Sequence, residues 1–139
     1  MATLTSPNTI LLTHPNNPPE TITAKYILIA VGGRPHFQPP LDAYRDLVIT
    51  SDDIFSQEKK PGKTLVVGAS YIALECAGFL TALGNDTTVM VRSIPLRGFD
   101  QQMALKVKEY MASHGTKFIE ECIPVRIEPL EGGRRKVHP

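Results

Sequence analysis

Apolar positions along the middle of the chain change period twice within thirty residues. Leu65, Val66 and Val67 are consecutive, which predicts over residues 63–67 a short parallel strand covered on both faces. From Ser70 to Leu83 the apolar residues Ile72, Cys76, Phe79, Leu80 and Leu83 recur at helical spacing and predict a helix with that face buried. Gly84-Asn85-Asp86 then reads as a helix stop and turn, and the β-branched run 87–91 (Thr-Thr-Val-Met-Val) as the next parallel strand. Strand, helix and strand make one βαβ unit.

On either side the pattern is shorter in range. Residues 2–6, 10–13 and 22–31 predict extended segments, the last two separated by the proline- and asparagine-rich turn 14–20. The prolines of 34–50 predict a linker. Ser51-Asp52-Asp53 predicts an N-cap with acidic first-turn residues, opening a short helix through Ile54 and Phe55. Further on, Asp100 predicts the cap of a helix whose apolar face is Met103, Val107, Tyr110 and Met111 and which Gly115 ends. Strands are predicted over 116–121 and 125–130, with Glu131-Gly132-Gly133 turning into an unfinished hairpin.

Composition narrows the function classes only by exclusion. The 139 residues suffice for one domain with a real core, and a net charge of +1 gives no reason to expect nucleic acid or an anionic membrane as partner. No apolar run approaches the roughly 18 residues of a membrane span. Cys76 and Cys122 match neither a redox pair nor a metal site, and His14, His36, His114 and His138 are scattered, so no catalytic residue and no metal is expected. Cys76 reads as a packing residue. Two cysteines without a disulfide framework suit a reducing compartment, and the expectation is cytoplasmic, with a mitochondrial form as the alternative.

The candidate chemistry lies in the turn between first strand and helix, Gly68-Ala69-Ser70-Tyr71-Ile72-Ala73. Gly68 permits a tight turn off the strand, a small residue at Ser70 lets the backbone approach a diphosphate, and Ala73 keeps the helix close to the strand. The first helical turn adds free N–H groups and a partial positive charge. An ordinary strand-to-helix turn has the same spacing, so the downstream residues decide. An NAD-binding fold places an acidic residue at the end of the second strand for the ribose hydroxyl. That place holds Val91, followed by Arg92, Ser93 and Arg97 with no carboxylate before Asp100. Guanidinium groups suit a 2′-phosphate that a carboxylate would repel, and this points to NADP rather than to a merely solvated basic loop.

Residues 66–80 (Val-Val-Gly-Ala-Ser-Tyr-Ile-Ala-Leu-Glu-Cys-Ala-Gly-Phe-Leu) and 89–101 (Val-Met-Val-Arg-Ser-Ile-Pro-Leu-Arg-Gly-Phe-Asp-Gln) closely resemble the NADPH domain of thioredoxin reductases of the large animal type, thioredoxin glutathione reductase fusions included. These belong to the pyridine-nucleotide disulfide oxidoreductases. Glutathione reductases usually carry Gly at the Ser70 position and come second; lipoamide dehydrogenases, with an acidic residue near Val91, come third. The stretch 26–35 (Tyr-Ile-Leu-Ile-Ala-Val-Gly-Gly-Arg-Pro) is similar to the family's Ala-Thr-Gly segment that closes the FAD domain, with Val31 in the usual Thr place. The resemblance implies flavin contacts at Ala30 and Gly32, a lid role over the nicotinamide pocket for Tyr71, and for Glu75 an ion pair with a lysine beside the flavin. From spacing alone Glu75 is a helix-surface residue, four positions after Tyr71.

The expected fold is therefore α/β: a Rossmann-like parallel sheet over 63–139, preceded by a linker and short helix over 36–62 and by the last strands of an FAD-binding domain over 1–35. The family's upstream glycine turn, redox disulfide and C-terminal dimer domain have no counterpart in this sequence. By resemblance, the cofactors are NADPH and, in the complete protein, FAD. The implied partners are thioredoxin or glutathione disulfide and a second copy in a homodimer. A non-catalytic nucleotide-binding module is the alternative of a different class.

Overall fold

The computed structural model describes residues 1–37 and 39–139. They form two compact units, Met1–Gly33 and Arg34–Pro139.

In the first unit β1 (Ala2–Ser6), β2 (Thr9–Leu12) and β3 (Glu20–Thr23) make an antiparallel sheet in chain order. The extended segment expected over 22–31 is paired only at its start. Asn8 explains the stop: its side-chain amide donates to the carbonyls of Ala24 and Lys25, both at 2.9 Å, which takes the acceptors a longer ladder would use. Beyond that point Tyr26, Leu28, Ile29 and Val31 are exposed.

The second unit opens with two 3-10 segments, Leu41–Leu47 and Ile54–Ser56, where a linker and a capped short helix were expected; Gln38, within that linker, lies outside the described residues. Asp53 is not a forward cap. Its carboxylate accepts from the Thr50 amide and hydroxyl, both at 2.7 Å, so it closes the turn before the helix instead. Then come β4 (Thr64–Val67), α1 (Tyr71–Ala82), β5 (Thr87–Met90), α2 (Gln101–Ser113) and β6 (Lys117–Ile119), with β4, β5 and β6 hydrogen-bonded in that order and parallel. The central strand is the core. Thr87, Val89, Met90 and Val91 are all buried, and Leu74, Ala77 and Leu80 of α1 are buried with them.

The buried face of each helix matches the predicted one only in part, at Leu80 on α1 and Met111 on α2. On α1 the buried positions are Leu74, Ala77 and Leu80, while Ile72 and Leu83 are exposed; the helix is apolar nearly all round, so periodicity could not select the side that meets the sheet. On α2 the fully buried residue is Ala104 and Met111 packs on the core, leaving Met103, Val107 and Tyr110 exposed. Asp100 does cap α2, accepting from the Met103 amide at 2.9 Å. Each helix ends in the same way: the amide of Gly84 donates to Thr81 and that of Asn85 to Leu80, as Gly115 does to Ala112 and Thr116 to Met111.

Strands β7 (Arg126–Pro129) and β8 (Arg135–His138) close the hairpin expected to be unfinished, through a 3-10 turn at Glu131–Gly133. On its surface Glu128 meets His138 at 3.1 Å and Arg126 alongside.

Two predictions follow from these contacts. Asn85 is buried and bridges two elements, its amide donating to Leu80 and its carbonyl accepting from the Gly62 amide. Asn85→Ala should cost about 1–3 kcal/mol, since it leaves the Gly62 amide without an acceptor and removes one of the two bonds to the Leu80 carbonyl, which keeps the Asn85 backbone amide. Urea unfolding checks this, and a loss below about 0.5 kcal/mol would mean that water replaces the side chain freely. The second concerns Glu128, whose carboxyl is held below its ordinary 4.5 first by the His138 hydrogen bond and then by the nearby positive charge of Arg126. A depressed carboxyl pKa stabilises the fold above pH 4.5 and loses that contribution as pH falls through the folded value. Hairpin stability should therefore decline on acidification more steeply in the wild type than in Glu128→Gln, and the difference should shrink in high salt because the pair is exposed. Parallel decline in both proteins, followed by hydrogen exchange of the hairpin amides, would remove the pair from the account.

Candidate functional site

The glycine turn sits where β4 gives way to α1. Beyond the last paired residues, Val67 and Met90, the Gly68 amide still donates to the Met90 carbonyl at 3.0 Å, so the turn is held to the central strand as it leaves the sheet. Gly68 has φ +114°, a region costly for any residue with a Cβ. Ser70 is the N-cap in extended conformation, φ −74° and ψ 170°, and its hydroxyl makes no capping bond. The first intrahelical bond runs from the Leu74 amide to the Ser70 carbonyl at 3.0 Å, so the amides of the opening turn have no acceptor within the helix. The turn is therefore rich in free donors, with the Ser70 hydroxyl beside them. Its chemistry suits a diphosphate.

The arginine loop starts at the end of β5. Val91 is buried, and its backbone is held by the end of β6 and by the loop after it: the Val91 amide donates to Ile119 at 2.7 Å and the Cys122 amide to Val91 at 3.1 Å. Arg92 then emerges exposed. The Arg97 guanidinium folds back to donate to the Ser93 hydroxyl at 2.6 Å, bringing together two of the residues singled out from sequence. The Leu96 amide donates to the Ala69 carbonyl at 2.8 Å, which joins the arginine loop directly to the glycine turn.

Tyr71 and Glu75 are exposed on α1, Tyr71 at 54%. Ile72 is exposed at 43%. Cys76 is half-buried, and burial, then the Glu75 charge, pushes its thiol above the ordinary 9.0, which favours the protonated form. Ala30 and Gly32 belong to the first unit, in an exposed irregular segment with open space around the glycine. Leu96 was not among the residues singled out from sequence. Nothing in a leucine between Pro95 and Arg97 announces that its backbone amide will bridge two loops.

A parallel strand–turn–helix with a donor-rich turn tied to a basic loop defines an α/β unit of the dinucleotide-binding type. The chain belongs to the pyridine nucleotide-disulphide oxidoreductase family, whose pattern it matches over residues 4–138. It is 52% identical over 136 residues to thioredoxin reductase SEP1 of Emiliania huxleyi, across 98% of this chain and 27% of that protein. To the thioredoxin reductase of Plasmodium falciparum, isolate FCH-5, it is 59% identical over 112 residues, 81% of this chain and 21% of the relative. The chain thus spans about a quarter of the length of these relatives. Among solved structures, the Cu(II) complex of the HOCl-induced flavoprotein disulfide reductase RclA from Escherichia coli superposes with TM-score 0.77 over 99% of this chain and 31% of that one, at 21% identity, a likeness of fold.

Gly68 supplies the direct test of the turn. A Cβ there would meet only Ala73 Cβ at 3.9 Å, ordinary contact, so the penalty of Gly68→Ala lies in the backbone and not in a clash. It should destabilise the chain by about 1–3 kcal/mol. A melting temperature equal to that of the wild type would show that the turn relaxes to another conformation at no cost.

Proposed function

We propose that this chain is the NADPH-binding portion of an FAD-dependent thioredoxin-disulfide reductase, with residues 63–139 as the NADPH domain, 36–62 as linker and 1–35 as the end of the FAD domain. The observation that carries the reading is the junction of the two loops: the Leu96 amide bound to the Ala69 carbonyl sets a basic loop beside a diphosphate-type turn. The residues present fit the cofactor. Free amides at the start of α1 and the Ser70 hydroxyl offer donors to a diphosphate. Arg92, Ser93 and Arg97 offer charge and hydrogen bonds to a 2′-phosphate, and Val91 in the acidic position removes a repulsion. NADPH, when bound, supplies a hydride. Tyr71, exposed on the first turn of α1, would cover the nicotinamide end, the role the family resemblance implies for it. The 52% and 59% identities to thioredoxin reductases support thioredoxin as the disulfide substrate of the complete protein, and the complete protein as a homodimer remains part of this proposal. Without a cysteine pair, this chain alone would bind and orient the nucleotide but not reduce a disulfide.

The test is the affinity of this chain for NADPH and NADH after Arg92→Ala and Arg97→Ala. A hydrogen bond to a charged group contributes about 1.5–3 kcal/mol, so each substitution should weaken NADPH roughly 10- to 100-fold and leave NADH nearly unchanged. Equal weakening of both cofactors makes the arginines structural; no weakening of either ends the NADP assignment.

A further inference from the structure

We propose that Leu96 is the positioning residue that sets the arginine loop against the glycine turn and thereby fixes the preference for a 2′-phosphorylated dinucleotide, an inference that rests on the NADPH reading above. Among the described residues only Leu96, at φ +47°, and Glu121, at +53°, adopt positive φ without being glycine. The two lie on the loops that follow β5 and β6, at the end of the sheet where the glycine turn stands. For a bulky side chain the left-handed region is strained, so the conformation persists only where its surroundings demand it.

Three anchors make that demand on Leu96. Its amide donates to the Ala69 carbonyl at 2.8 Å, on the opposite loop. Its carbonyl accepts from the Phe99 amide at 3.0 Å and from Gln101 Nε2 at 3.2 Å, which ties the loop to the start of α2. Its side chain is half-buried against the core cluster of Leu74, Ala77, Val89 and Val91. No anchor involves a charged group. Yet the next residue is Arg97, which reaches back to Ser93 at 2.6 Å, so the left-handed step at Leu96 comes immediately before the cationic arm it aims.

A leucine serving only the core would behave differently from one that positions a loop. Loss of packing lowers stability and weakens every dinucleotide alike, whereas loss of position lowers the advantage of the phosphorylated one. Two variants separate these. Leu96→Asn tolerates positive φ but gives up the apolar anchor, and Leu96→Met keeps an apolar anchor. With NADPH and NADH titrated against the full chain, Leu96→Asn should reduce the NADPH-over-NADH preference by roughly 10-fold, the low end of what weakening one hydrogen bond to a charged group produces, with NADH affinity nearly unchanged. Leu96→Met should retain the preference. Hydrogen exchange of the unsubstituted chain gives a second readout: the Leu96 amide should be protected before any nucleotide is added. Full preference in Leu96→Asn, equal weakening of both nucleotides, or a Leu96 amide exchanging as fast as an exposed loop overturns the inference while leaving the NADPH reading intact. A wild-type chain with no preference for NADPH overturns the reading itself and this inference with it.

Discussion

The parallel pairing of β5 with both neighbours is the constraint on which the second unit depends. A parallel strand buried on both faces has no solvent to satisfy its backbone, so β4 and β6 must both be in register before Thr87, Val89 and Val91 can be withdrawn from water. That registry also sets the height of each loop at the carboxyl end of the sheet. Gly68 is bonded to Met90, and Val91 to Ile119 and Cys122, so the three loops leaving β4, β5 and β6 begin from fixed points relative to one another. The candidate site inherits its geometry from the ladder, one bond beyond where the ladder ends.

The same constraint explains what was legible in the sequence. Leu65-Val66-Val67 and Thr87 to Val91 could be read as strands because a strand covered on both faces needs unbroken apolar or β-branched runs, a signal that survives without knowing the partner. Helix ends were legible for a similar reason: Asp100, Gly84 and Gly115 act through bonds within a few residues of themselves. The helix faces were legible only in part, at Leu80 and Met111. On α1 apolar residues surround the axis, and on α2 the smallest, Ala104, faces inward while Met103 and Tyr110 face out, so the choice is made by the shape of the neighbouring surface and not by the period. The segment after Thr23 shows the converse error. Its run of β-formers has propensity for a strand, but Asn8 takes the carbonyls and no ladder continues.

For the site, residue type indicated which side chains matter and could not indicate how the backbone would assemble them. Ser93 and Arg97, four positions apart, meet in a loop whose positive-φ positions are Gly98 and, before it, Leu96, a residue with no preference for positive φ. Glycine at that point would have been legible as a turn. Leucine hides the turn because its side chain is needed by the core, and the cost of its conformation is offset by contacts that lie 20 or more residues away in the chain, at Ala69 and Leu74.

The residues named from sequence also differ in how far this chain by itself organises them. Gly68, Ala69, Ser93 and Arg97 are joined by bonds within one βαβ unit and its following loop, and these are the groups that would face the adenosine and phosphate part of a dinucleotide. Tyr71 and Glu75 stand exposed on α1, and Ala30 and Gly32 lie in an exposed segment of the other unit. A phosphate site needs fixed donors and can be assembled from local backbone; a site for hydride transfer needs two ring systems brought face to face, which requires groups from separate parts of a fold. The part of the candidate site that is preorganised here is the part whose chemistry is local, and on the NADPH reading proposed above it is this part that would meet the phosphates of a nucleotide.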